Sequence, residues 1–270
     1  MQRDFVKEIK EIVLPTKDSR KGENGRVLVI GGSKLFHAAS CWSATMAAKI
    51  VDMVHFSSPI IENNELMRVR AKELFWDGIV VDWTDIDHYI QEDDCILIGP
   101  GMERGAETKK IVNELLARYP GKKWVVDGGA LQEVDPTLLN SNMIVTPNFR
   151  ELNLLLGKIT NDQSSNLKLE QLGVTVLAKG QVDVITSGDE RIEIGGGSAG
   201  MTKGGTGDVL AGLVAGLYAK SPAMAACVVA SQVNKKAGEE LEKITGPFFS
   251  AGDLIPQVQK QLGLIALETR

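Results

Sequence analysis

Cysteine and histidine are scarce in this sequence, with three of each among 270 residues. Cys41, Cys95 and Cys227 are far apart and odd in number, which excludes a disulfide framework and suits a reducing compartment. Cys95 and Cys227 stand in apolar surroundings and read as core. His37, His55 and His88 are scattered, and no pair of His or Cys has metal-ligand spacing, so no metal site is expected from them. A basic excess is also missing: 30 Lys and Arg face 35 Asp and Glu, a net charge of −5. That excludes a broad nucleic-acid surface while leaving room for a local basic pocket. No apolar run is long enough to cross a bilayer, and the polar start Met1-Gln2-Arg3-Asp4 is no signal peptide. The expectation is a soluble, cytoplasmic protein with neither membrane nor nucleic acid as partner. Internal repeats, low-complexity tracts and splitting linkers are absent as well.

What is present is an ordinary globular composition, 43% apolar and 24% charged. Apolar runs bounded by turn residues predict strands at 26–30, 54–57, 95–98, 123–126, 143–145, 174–178, 182–186 and 191–194. Several are β-branched and continuous, which suits strands buried on both faces. Helical patterns fall at 5–13, 38–51, 106–118, 150–156, 166–172, 207–219, 223–241 and 250–262. The alternation implies an α/β fold with a mostly parallel sheet covered by helices. The last two strands read as a hairpin turning at Ser187-Gly188-Asp189-Glu190. One three-layer αβα domain over residues 1–270 is the simplest account. The stretch 223–233, rich in Ala and Val, suits either core or an interface between copies.

Ligands of open parallel sheets lie beyond the carboxyl ends of the strands. Polar turns recur there: Gly31-Gly32-Ser33-Lys34, Gly99-Pro100-Gly101-Met102, Asp127-Gly128-Gly129-Ala130, Thr146-Pro147-Asn148 and Lys179-Gly180. Five such turns at one edge point to a long shared cleft. A further Gly-rich turn, Met201-Thr202-Lys203-Gly204-Gly205-Thr206-Gly207-Asp208, runs into the apolar helix 207–219. Free N–H groups at a helix start favour an anion. Asp208 in the first turn can take a proton from a hydroxyl. An anion hole with a base is the equipment of phosphoryl transfer. A Gly-rich helix start with a plain first-turn acid is the alternative for this loop taken alone.

Taken in order, Lys21-Gly22, Gly25-Arg26-Val27, Gly31-Gly32-Ser33, Gly99-Pro100-Gly101, Asp127-Gly128-Gly129-Ala130-Leu131, Thr146-Pro147-Asn148 with Glu151, Lys179-Gly180 and residues 204–208 form a pattern. It resembles the ADP/ATP-dependent NAD(P)H-hydrate dehydratases of the ribokinase-like superfamily, from about Lys21 to the C-terminus. The resemblance implies a ribokinase-like fold and a repair reaction. The ring hydroxyl of hydrated NADH or NADPH is phosphorylated by ADP or ATP, and loss of phosphate restores the dihydronicotinamide. It implies Asp208 as base, with Gly205, Thr206 and Gly207 holding developing charge. It assigns Lys179, Gly180, Gln181, Val182, Asp183 and Gly207 to the nucleotide, and Ala39, Gly101, Asn148 and Asp208 to the hydrated substrate. Mg²⁺ is expected on the phosphates, with no dedicated protein cage, and the family pattern implies a homo-oligomer. A separate epimerase domain, frequent in the family, has no room here: the first twenty or so residues suffice for one helix and a loop.

Some positions carry two readings. Lys179 suits a solvated strand end as well as a nucleotide contact. Gly101 can simply serve its turn. Asp127 can cap the next helix or position a phosphate-bound metal. Lys203 can neutralise phosphate or be merely exposed, and His37 can face the cleft or the solvent. The chain also departs from the family where Thr-Pro-His-Pro-Gly-Glu is usual and Thr146-Pro147-Asn148-Phe149-Arg150-Glu151 stands instead. Asn148 cannot gain charge near neutral pH. Arg150 adds a cation beside a phosphate-rich site, and Glu151 is expected to pair with it or with a neighbouring loop. The usual asparagine-glycine-asparagine lead is Gly196-Gly197-Ser198, and the Gly-Ala pair after the first strand is Ala38-Ala39. Two rival functions follow. One is a ribokinase-like kinase of a small vitamin precursor such as hydroxymethylpyrimidine, pyridoxal or hydroxyethylthiazole. The other is a non-catalytic nucleotide-binding sensor or scaffold, against which the base Asp208 argues.

Overall fold

The computed structural model describes residues 5–74, 77–161 and 169–268. Its first half contains α1 (Val6–Lys10), β1 (Arg26–Ile30), α2 (Ala38–Ala47), β2 (Met53–Ser57), α3 (Ile61–Leu74), β3 (Ile79–Val80), α4 (Ile86–Glu92), β4 (Cys95–Ile98), α5 (Ala106–Arg118) and β5 (Lys123–Val126). The second half adds α6 (Gly128–Glu133), β6 (Met143–Val145), α7 (Phe149–Asn161), β7 (Thr175–Ala178), β8 (Asp183–Ser187), β9 (Glu190–Ile194), α8 (Thr206–Tyr218), α9 (Ala223–Thr245) and α10 (Ala251–Glu268).

The strands form one sheet in the order β3-β2-β1-β4-β5-β6-β7-β8-β9. Strands β3 to β7 are parallel, and the β7-β8-β9 edge is antiparallel. The chain first builds outward from β1 to β3, then returns to lay β4 on the other side of β1. That reversal opens a crevice between the β1 and β4 turns, the usual place for a ligand.

Alternate side chains of each strand enter opposite layers. Val27 and Val29 join one core with α2, α8, α9 and α10, while Leu28 and Ile30 join a second core with α4, α5, α6 and α7. Burial of both faces explains why the strands read as continuous apolar runs. Helix α8 is apolar almost all round and accordingly buried. It lies hard against α2, because Gly212 lets the helix approach the Ser43 backbone; a Cβ there would come within 2.8 Å of the Ser43 Cα. The stretch 223–233 is core: Ala225, Ala226, Cys227, Val228, Val229, Ala230 and Val233 are buried.

The expected α/β architecture is present, and the hairpin turns at Gly188 and Asp189 as anticipated. Helices α3, α4 and α6 and strand β3 have no counterpart in the sequence reading. Helix α3 buries Asn63, Asn64 and Met67 while exposing Ile61, Leu66 and Val69, so its apolar spacing does not mark a core face. The others are short, and Gly128-Gly129 at the start of α6 reads as turn. The helix expected to run to Val51 ends at Ala47. Of the segment 166–172, residues Leu169–Leu172 form a single 3-10 turn, and 166–168 lie outside the described residues.

Candidate active site

The carboxyl edge of the sheet is stitched turn to turn. Gly31 N–H donates to the Ser57 carbonyl (3.2 Å), Gly99 to Ile30 (3.0 Å), Asp127 to Ile98 (3.0 Å), Thr146 to Val126 (3.2 Å) and Lys179 to Pro147 (2.7 Å). The five anticipated turns therefore form one continuous wall. Across the crevice, Gly32 N–H donates to the Pro100 carbonyl at 2.8 Å. Gly101 sits flush on the start of α2, where an added Cβ would lie 3.1 Å from Ala39 Cβ and 2.6 Å from the Phe36 carbonyl oxygen. The structure thus brings Ala39 and Gly101 together. His37 meets Asn63 Oδ1 through Nδ1 at 3.2 Å, which ties it to α3.

The Gly-rich loop ends at Gly205, whose φ of +95° is left-handed. A side chain there would be strained by the backbone and would lie 2.9 Å from both Trp42 Cδ1 and Ala251 Cβ. The loop is braced from within. Thr206 Oγ1 donates to the Met201 and Lys203 carbonyls at 2.6 and 2.9 Å. Lys203 donates to the Pro247 and Phe249 carbonyls at 2.8 and 2.7 Å. Its charge ties the loop to the segment before α10. Ser43 Oγ donates to the Asp208 carbonyl at 2.8 Å, linking α2 to the first turn of α8.

Asp127, the N-cap residue of α6, makes no side-chain cap bond. Its carboxylate instead accepts from Thr146 Oγ1 at 2.8 Å and from Lys179 Nζ at 2.7 Å. Lys179 is no solvated strand end: its side chain is 18% exposed, and Nζ lies 3.6 Å from where a Gly207 Cβ would stand. An ammonium group hangs over the helix N-terminus. Burial pulls the Lys179 pKa down, but the carboxylates of Asp127, Glu151 and Asp208 outweigh it and hold the pKa above its ordinary value. Asp208 is pushed up to about 7, first by burial, then by the like charge of Asp127, with Lys179 pulling the other way and Glu151 adding to the rise.

A cleft of about 890 Å³ opens from this point between α9, the 196–199 segment and the start of α8. Of the anticipated residues it gathers Asn148, Lys179, Gly180, Gln181, Asp183, Thr206 and Gly207. Val182 is not among the cleft residues: it is 48% exposed and, with Lys179 and Gly180, lines an apolar groove behind the β7-β8 hairpin. A larger hollow of about 1,090 Å³ between β9, α9 and α10 shares only Lys235 with the cleft and holds none of the anticipated residues.

The departure at 146–151 has a local cause. Asn148 Oδ1 accepts the N–H groups of Arg150 and Glu151 at 2.9 and 3.1 Å, and Glu151 Oε2 accepts the Asn148 N–H at 2.9 Å. This is a capping box on α7, for which asparagine is a favoured N-cap. Glu151 Oε1 accepts from Gln132 Nε2 at 3.1 Å, so its side-chain partner is on helix α6, neither Arg150 nor a loop. Arg150 is exposed and is not among the residues lining the cleft.

Residues 27–260 match the family model of NAD(P)H-hydrate dehydratase. An ADP-dependent (S)-NAD(P)H-hydrate dehydratase of Nitrosopumilus maritimus is 34% identical over 263 residues, which cover 89% of this chain and 89% of that one. The chain belongs to the NAD(P)H-hydrate dehydratase family. A bifunctional NAD(P)H-hydrate repair enzyme of Methanocaldococcus jannaschii is 33% identical over 252 residues, 91% of this chain and 49% of that one. The chain thus spans about half the length of that bifunctional relative. A ribokinase-like superfamily protein of Enterococcus faecalis has a similar structure, with TM-score 0.81, 23% identity and coverage of 96% and 94%. The fold is ribokinase-like.

Within this dehydratase family member, sequence reasoning passed over several participants. Trp42 and Ser43 lie one turn beyond Ala39, on a helix read only for its first residues. Ser231, Asn234 and Lys235 lie on a helix read for its Ala and Val content. Their polar positions within an otherwise buried helix were the available signal.

Proposed function

We propose that this chain catalyses the nucleotide-dependent dehydration of hydrated NADH or NADPH. The observation that carries the proposal is Asp208, half-buried in the first turn of α8 with its pKa pushed up to about 7, near the Lys179 ammonium over Gly207. A base with that affinity releases and takes protons near neutral pH. In the proposed step the ring hydroxyl oxygen attacks the terminal phosphorus of ADP or ATP. Its proton goes to Asp208, and the bond from phosphorus to the donor oxygen breaks. The new phosphate ester then leaves as phosphate, with loss of a proton from the neighbouring ring carbon, and the dihydronicotinamide double bond returns. Hydroxide leaves poorly and phosphate well, which is why a nucleotide is consumed.

Positions along the wall divide the labour. Ala39 and Gly101 at the β1/β4 crevice would meet the hydrated nicotinamide, with Asn148 offering an amide. Because its Oδ1 caps α7, Asn148 would present its NH₂ donors to an acceptor atom of the substrate. Lys179, Gly180, Gln181 and Gly207, which line the cleft, would hold the nucleotide. Among the described residues no group of three or more His, Cys, Asp or Glu is arranged to hold a metal ion. Mg²⁺ carried on nucleotide phosphates needs few protein ligands, so the site fits it in that form. Asp127, whose charge acts on both Asp208 and Lys179, is the acid it would meet, since both Glu151 oxygens are committed to Gln132 and Asn148, and when bound it would offset phosphate charge.

The deciding assay mixes purified protein, Mg²⁺ and hydrated NADH or NADPH with ADP or ATP, and follows recovery of dihydronicotinamide absorbance. Recovery dependent on nucleotide is expected. No recovery with either nucleotide would remove the dehydratase reading, and stable phosphorylation of hydroxymethylpyrimidine instead would establish a kinase.

A further inference from the structure

The nucleotide segment 180–183 is held from beneath by α9. Lys235, 6% exposed, donates to the Gly180 carbonyl at 2.9 Å and the Gln181 carbonyl at 3.0 Å, and its Nζ lies 3.3 Å from Asp183 Oδ1. An ammonium has three donors, and these three acceptors use them all. Asp183, 4% exposed, is equally committed: Oδ1 accepts the Gly180 N–H at 2.9 Å, and Oδ2 accepts from Ser231 Oγ at 2.6 Å. Both residues line the cleft, yet their charged atoms are spent on the loop and on α9. The contrast is Lys179, which among the described residues donates only to Asp127 and hangs over the helix start.

A buried ion pair is weak evidence for stability, because desolvation consumes most of its attraction. This pair does something else: it fixes the carbonyls and N–H groups of a turn that has no strand partner of its own between β7 and β8. We infer that Lys235 is a positioning residue for the nucleotide donor, acting with Asp183 and Ser231. It shapes the 180–183 loop and touches no phosphate. The same geometry assigns Asp183 to the loop's scaffold and not to direct contact with nucleotide. Lys235 is also the wall between the cleft and the adjoining larger hollow. The inference rests on the reading of the cleft as the nucleotide site.

The test is calorimetric titration of Mg-ADP and Mg-ATP into wild type, Lys235→Met and the double variant Lys235→Met with Asp183→Leu. Methionine keeps the stem and removes the ammonium, and the double variant leaves no unpaired buried charge, which keeps the test open where the single variant fails to fold. Nucleotide affinity is expected to fall at least about tenfold in both. At saturating nucleotide, kcat and the KM for hydrated NADH should stay within about threefold, and amide exchange at residues 180–183 should quicken. Affinity within twofold of wild type in the double variant would overturn the inference. So would a loss confined to kcat, which would place Lys235 on the reacting phosphoryl group. Wild type that binds neither nucleotide would overturn the reading of the cleft and this inference with it.

Discussion

Asp208 joins the chemistry of the site to its electrostatics. In its proposed role as base it must be ionised, so activity should rise with pH through about 7 and level off above it. Asp208→Asn should lose on the order of 10²-fold or more in kcat while nucleotide affinity stays within a few-fold, measured by turnover and calorimetry. Asp127→Asn removes a like charge and frees Lys179 to face Asp208. Both effects lower the Asp208 pKa, so the acid limb of the pH-rate profile should move down by about one unit. An unmoved limb would show that Asp127 does not set it. The same shift carries a stability consequence. Folded Asp208 keeps its proton to about pH 7, whereas an unperturbed one releases it near 3.8. The folded state therefore binds the extra proton between those values, and wild type loses stability as pH rises across that window. Asp208→Asn cannot ionise, so it should be the more stable protein at pH 8, by roughly 1–3 kcal/mol, with the gap closing below pH 4. Urea unfolding at the two pH values checks this.

At the scale of elements, two helix starts set the site, and they were legible to different degrees. The Gly-rich lead into α8 announces itself because only glycine takes the Gly205 backbone comfortably. Gly205→Ala adds strain and a clash with Trp42 and Ala251, and should cost about 1–3 kcal/mol in denaturant unfolding. The start of α7 was read as a departure from a family motif when it is also a capping box. Asn148→Ala should cost about 1 kcal/mol, while Asn148→Asp keeps the cap and stays within a few tenths. Equal losses in both variants would show that the cap is not what Asn148 supplies. The cap goes unread for a physical reason: Asn, unlike Pro or Gly, serves caps, turns and ligand contacts alike, and only the position of Glu151 three residues on separates them. The helices that went unseen, α3, α4 and α6, are short or present their apolar residues to solvent, so their pattern carries no core face to detect.

For the whole molecule, the core on one face of the sheet, shared by α2, α8, α9 and α10, encloses all three cysteines. Burial pushes the Cys95 and Cys227 thiols far above their ordinary pKa, and Cys41 is raised by the same cause. A thiol reagent should therefore modify fewer than one cysteine per native chain and all three after unfolding, read by absorbance or mass. Rapid modification of the native protein would mean that a core layer opens readily. No helix among the described residues is long and apolar enough to cross a membrane. The homo-oligomer implied by the family pattern remains a proposal, and light scattering at several protein concentrations decides it.

Residue pattern is enough for the alternation of buried strands and covering helices, the antiparallel hairpin at the end, and the row of polar turns. Continuous apolar runs survive only when both faces are covered, and parallel strands deliver all their turns to one edge. Residue type and order also sufficed for the Gly-rich loop and its aspartate. Tertiary structure alone decided who faces whom. Asp127 meets Lys179 from 52 residues away, Lys235 reaches back to 180–183, Lys203 turns to Pro247 and Phe249, and Val182 leaves the cleft that its neighbours line. These pairings depend on the order of strands in the sheet and on the direction of each side chain at a loop. Neither leaves a periodic trace in the sequence, because a charged residue at a turn satisfies the same local rules whether it binds a ligand, braces a loop or meets water.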